Sequence, residues 1–172
     1  MANRVFVYGT LKTGQPNHSM IPGAGSVRCR FFGTGKTETK WPLVIATKYN
    51  IPFLLDCEGE GHNVYGEVYE VDDDLLAHLD EVEGCPDSYE RRKIRIGMDK
   101  IADGSEPNTL DCWCYLLPRY RPSVLSLEKY ESYDSNGAHG KQFDKTKGPG
   151  EPLEAVHKEI AMLRTIADGT SQ

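Results

Sequence analysis

RVFVYGTLKTGQPNH, residues 4–18, joins an apolar strand directly to a glycine-pivoted turn rich in hydrogen-bond donors. Val5 and Val7 alternate with Phe6 and Tyr8 at the period of a β-strand. Gly9 follows at once, a residue that can take positive φ and lets backbone approach a ligand closely. The amides after it then become free donors. Successive unpaired N–H groups at a strand end form a concave nest suited to a carboxylate or a developing oxyanion, and the Thr10 hydroxyl adds a further donor. Strand-Gly-Thr turns also serve ordinary hairpins, so this stretch alone leaves both readings open.

Outward from this run, β patterns dominate. Strands are expected at residues 4–8, 27–33, 38–47 (bent or at an edge, given Pro42), 51–56, 62–71, 89–98 and 109–117. The clearest helix is DDDLLAHLDEVEG, residues 72–84. Asp72 can cap it, Asp73 and Asp74 favour its positive N-terminal end, Leu75, Leu76, Leu79 and Val82 make one apolar stripe, and Gly84 stops it. From Lys145 the run KTKGPGEP reads as a polar linker, and Leu153, Val156, Ile160, Leu163 and Ala167 then recur at three- and four-residue steps. That stripe is expected to dock on its own domain. The division is therefore residues 1–144 as one domain and 145–172 as linker and C-terminal helical extension.

The chain has 172 residues, enough for one domain with a substantial core, and its 38% hydrophobic content suits a soluble globular protein. A net charge of −6 and a pI near 5.4 argue against a nucleic-acid or anionic-membrane surface. No apolar run has the length of a membrane span, and a strand starting at residue 4 leaves no room for a signal peptide, so a cytoplasmic location is expected. The five cysteines are odd in number and contain no CxxC pair, which suits reduced thiols. Cys112 and Cys114, two apart in LDCWCYLL, fall on one strand face and read as core. Two nucleotide-like runs fail: GTGKT at 33–37 has Arg30 where a phosphate loop needs glycine, and Gly23 and Gly25 are followed by Arg28 where a dinucleotide pattern needs its third. The five histidines are scattered without metal-ligand spacing.

LDEVEGCP, residues 79–86, is the second stretch with chemistry in it. Glu83 lies at the end of the predicted helix, where the macrodipole disfavours negative charge. Together with partial burial this would raise its pKa toward neutrality, as a general base needs. A solvated helix end explains an acidic residue there equally well.

Taken together, FVYGTLKTGQPNH (6–18), WPLVIA and NIPFLLD (41–56), GEVYEVD (66–72), LDEVEGCPDSYERR (79–92) and YESYDSNGAHG (130–140) resemble the γ-glutamylcyclotransferase superfamily, in particular its γ-glutamylamine branch. The resemblance implies an α+β fold, a single domain with a small, mostly antiparallel β-barrel and short helices. It implies release of 5-oxoproline from a small γ-glutamyl compound, with γ-glutamyl-ε-lysine as the substrate of that branch and no cofactor or metal. Carried over by motif, Tyr8, Gly9, Thr10 and Leu11 match the substrate-binding loop and Glu83 the catalytic carboxylate. Tyr89, Tyr120 and Tyr133 are candidates for the leaving-group pocket and equally for core or surface aromatics. Other γ-glutamyl amino acids are rival substrates. A non-catalytic module on the same barrel, contacting a partner through the C-terminal helix, is the alternative, and an intact Glu83 favours the enzyme.

Overall fold

Alternation along β1 (Asn3–Val7) and into Tyr8 sorts four side chains into two cores, and the rest of the fold is built around that division. The computed structural model describes residues 3–22, 27–144 and 152–165. Phe6 and Tyr8 join Val68 of β5 (Tyr65–Val71), Ile94, Ile96 and Met98 of β6 (Glu90–Ile101) and Cys112 and Cys114 of β7 (Thr109–Leu116). Between them on β6, Lys93 and Arg95 are exposed, so the first set faces a barrel interior. With β2 (Cys29–Thr37) the five strands close in the order β1-β5-β2-β6-β7. Four pairings are antiparallel; the barrel is shut by a parallel contact of Val5 on β1 with Trp113 on β7.

Val5 and Val7 point the other way, to an outer face that is covered rather than solvated. Over it lie α1 (Asp73–Glu83), β4 (Ile51–Leu54) of a two-stranded sheet with β3 (Leu43–Ala46), the short α2 (Pro122–Leu125) and α3 (Pro152–Thr165). Helix α1 forms as the sequence predicts. The Leu75 N–H donates to Asp72 Oδ1 at 2.7 Å, and Leu75, Leu76 and Leu79 are buried, each contributing roughly 1.5–3 kcal/mol. Gly84 ends it in the left-handed region at φ 66°, its N–H shared between the Asp80 and Glu81 carbonyls.

Ile160 and Leu163 of α3 are buried in the same outer core, and the Arg121 N–H donates to the Leu163 carbonyl at 2.9 Å. The helix thus docks on its own domain. Leu153, Val156 and Ala167 of the predicted stripe lie outside the described side chains, as does the linker at 145–150. Strand bounds shift by up to a few residues at β4, β5 and β6, and two strand expectations change further. The one at 38–47 begins only at Leu43, because residues 38–42 leave the ladder after β2 and Trp41 makes a single bridge to His62. GTGKT, outside any loop, forms the last five residues of β2.

Candidate active site

The turn after β1, the end of α1 and the docked α3 meet around one cavity of about 340 Å³. Tyr8, Gly9, Thr10, Leu11 and Glu83 all stand in its wall. Gly9 is required there for a reason other than positive φ: a Cβ on it would lie 2.8 Å from Pro52 Cγ, so the turn is pressed against β4. Asn17 folds the following loop back, donating through its N–H to the Thr10 carbonyl at 2.9 Å and through Nδ2 to Thr10 Oγ1 at 3.0 Å. The Thr10 hydroxyl hydrogen stays available. Among the described residues, nothing accepts a hydrogen bond from the N–H groups of Gly9, Thr10 or Leu11.

Glu83 enters the cavity from the last residue of α1, half-buried, and no described residue hydrogen-bonds or ion-pairs with its carboxyl. Burial without a compensating partner pushes its pKa up to about 7. Four tyrosines share the cavity with it, Tyr49 and the trio Tyr8, Tyr89 and Tyr115. Tyr8 donates to the Tyr115 carbonyl at 2.7 Å, and Tyr115 donates to Asp80 Oδ1 at 2.7 Å. Tyr89 stacks on Phe53 with ring centroids 5.9 Å apart, and among the described residues its hydroxyl has no partner. Burial, with the Glu83 charge adding to it, raises the pKa of all three phenols, so they remain neutral O–H donors through physiological pH.

Of the three aromatic candidates for the leaving-group pocket, only Tyr89 reaches the cavity. Tyr120 packs on the outer core near the Asp56 carbonyl, and Tyr133 is sealed in the barrel cluster. The wall also includes Met20, Tyr49, Phe143, Asp144 and His157, which no local motif singles out. One signal was present for Phe143 and Asp144. The runs KTGQPNH and ESYDSNGAHG clasp each other, Lys12 Nζ donating to Ser132 Oγ at 3.2 Å and the Ser135 N–H to Gln15 Oε1 at 2.9 Å. Ser135 Oγ accepts from the Phe143 N–H at 2.9 Å and the Asp144 N–H donates to the Tyr49 carbonyl at 3.0 Å, which carries the chain onto the cavity.

Across residues 5–135 the sequence matches the family model described as gamma-glutamyl cyclotransferase, AIG2-like. The chain belongs to that family. Among its relatives, the gamma-glutamylaminecyclotransferase of Bos taurus is 44% identical over 140 residues, 81% of this chain and 80% of the relative. The Homo sapiens protein of the same name is 41% identical over 145 residues, 81% of this chain and 95% of the relative. A crystal structure of an AIG2-like protein from Mus musculus superposes with a TM-score of 0.78 at 40% identity, covering 85% of this chain and 97% of the other. As an AIG2-like cyclotransferase the protein is an enzyme with a small γ-glutamyl compound as substrate. Among its described residues no helix is long and apolar enough to cross a membrane.

Proposed function

We propose that this chain is a γ-glutamylamine cyclotransferase that uses Glu83 as its acid–base group and the turn at residues 8–11 to hold the γ-glutamyl moiety. The observation that carries the reading is a carboxyl whose pKa burial pushes up to about 7, in the same cavity as a strand-end turn whose N–H groups have no partner among the described residues. A group that must take and return protons near neutral pH works best with its pKa there. The substrate named for the mammalian relatives is a γ-glutamylamine. Here γ-glutamyl-ε-lysine is the compound to test.

In the reaction the α-nitrogen of the γ-glutamyl group attacks its own side-chain carbonyl carbon, a C–N bond forms, and the bond from that carbon to the leaving nitrogen breaks. Products are 5-oxoproline and the free amine. Two protons pass from the α-ammonium to the departing nitrogen, and none is gained or lost overall. Glu83 carries them: the anion takes a proton so that the nitrogen lone pair is free to attack, and the acid returns one as the amine leaves. Such transfer is worth about 10²–10⁴-fold. Ring closure is already intramolecular, so the wall's further task is to hold amine and carbonyl in near-attack range. The amides of residues 9–11, the Thr10 hydroxyl and the Tyr89 hydroxyl are donors for the substrate carboxylate and the tetrahedral oxyanion. All five cysteines are free thiols, which suits a cytoplasmic setting.

The test is incubation of the protein with γ-glutamyl-ε-lysine and quantification of 5-oxoproline and lysine. Equal amounts of both are expected. Absence of 5-oxoproline from this and from every other γ-glutamyl compound offered would sink the reading.

A further inference from the structure

The wall of the cavity includes residues of α3, which lies beyond the stretch that the family model matches, residues 5–135. His157 and Ile160 supply that part of the wall. Helix α3 is held in place by more than its buried Ile160 and Leu163. Lys48 Nζ sits 3.2 Å from Glu159 Oε1, and the Arg121 N–H bonds to the Leu163 carbonyl. His157 Nε2 then lies 3.0 Å from the carbonyl oxygen of Val82, the residue before Glu83. A carbonyl only accepts, so Nε2 carries the hydrogen and the imidazole donates.

That contact answers a deficit in α1. The last carbonyls of a helix have no partner within it, and α1 has no basic residue in its last turn to serve them. Gly84 and Cys85 supply N–H donors to the carbonyls of Asp80 and Glu81, and His157 takes that of Val82. Glycine at 84 leaves room for that seat: a Cβ there would stand 3.1 Å from His157 Cε1 and Nε2, and the imidazole would have to shift by a few tenths of an ångström. A donor at a helix C-terminus also suits the negative end of the helix dipole.

We infer that His157 is a positioning residue for Glu83: by capping the Val82 carbonyl it fixes the end of α1 from which the carboxylate projects, and so makes α3 a working part of the site. The inference rests on the reading of Glu83 as the acid–base group. Displacing a reacting group by a fraction of an ångström to one ångström costs up to about 10²-fold in rate. Gln is the conservative replacement, because its side-chain amide can still donate to the carbonyl, whereas Ala cannot.

Steady-state kinetics with γ-glutamyl-ε-lysine on the full chain, comparing wild type, His157→Ala and His157→Gln, test this. His157→Ala should lower kcat about tenfold or more with KM within about twofold, and His157→Gln should recover most of the loss. A kcat for His157→Ala within twofold of wild type overturns the inference. Equal impairment of the two variants overturns the donor role. A readout independent of turnover keeps this separate from the substrate question: the titration of Glu83, followed by NMR of side-chain-labelled glutamate, should move in His157→Ala and return in His157→Gln. An unmoved titration overturns the inference even if the wild type acts on no γ-glutamyl compound; a moved one sustains it when the substrate alone is wrong.

Discussion

The barrel interior and its covered outer face contain side chains of the same kind, yet they do opposite work. Inside, Val68, Ile96, Cys112, Cys114 and Leu116 are sealed, and the polar exceptions are few. Outside, Val7, Leu11, Tyr89, Tyr115 and Ile160 are equally buried by residue but line a cavity that admits the Glu83 carboxyl, which has no partner among the described residues. The difference comes from what closes each face. Strand pairing all round leaves no gap inside, whereas helices, a hairpin and loops laid over one outer side leave room between them. Stability is concentrated in the first region and chemistry in the second.

Three substitutions would break or sharpen that contrast, one of them in two ways. The largest effect is expected for Glu83→Gln, which should lower kcat by about 10²–10⁴-fold while the far-ultraviolet circular dichroism is unchanged. Next, Ile96→Ala in the sealed interior should cost about 2–5 kcal/mol in denaturant unfolding, with kcat per folded molecule preserved. A loss of activity in the still-folded fraction would mean that the two regions are not separable.

Glu83→Gln also reverses the usual sign of a mutation. With a folded pKa of about 7 against an unfolded value near 4.5, Glu83 binds more protons when folded across that window, so its contribution to stability falls as pH rises from 4.5 to 7. Below pH 4.5 the carboxyl is neutral in both states and costs nothing. Above pH 7 the penalty is full, on the order of 3 kcal/mol. Glu83→Gln should therefore raise the thermal midpoint at pH 8, and the gain should vanish by pH 4. The same pKa sets the acid limb of kcat/KM, expected to fall about tenfold per pH unit below pH 7. The smallest effect, about 0.5–2 kcal/mol, is expected for Asp72→Ala, which removes the N-cap of α1 at the end far from Glu83.

Local patterns made much of this legible. The period-2 run at 4–8 and the capped, leucine-striped helix ending at Gly84 depend on near neighbours, and both appear within a residue of where the pattern places them. What stayed hidden depends on distance in the chain. Pro42 suggested a bend, but it took the Trp41 and His62 bridge to show that residues 38–42 leave the ladder. The closure of β1 on β7 is a single parallel contact with no periodic signature. Tyr120 and Tyr133 could not be separated from Tyr89 by composition, since their surroundings come from other segments. His157 falls in a stripe that reads only as a docking face, and its partner carbonyl is 75 residues away.

The parallel contact between the first and last strands of the barrel also sets the order in which the molecule can be made. During synthesis β1 emerges first but can pair with β5 only about sixty residues later, and with β7 only after a further forty or so. Non-local pairing of this kind slows folding and leaves strand edges open meanwhile. His157 leaves the ribosome later still, about forty residues after Trp113: a chain cut short anywhere between β7 and α3 carries the turn and the carboxylate but lacks the donor that sits behind them.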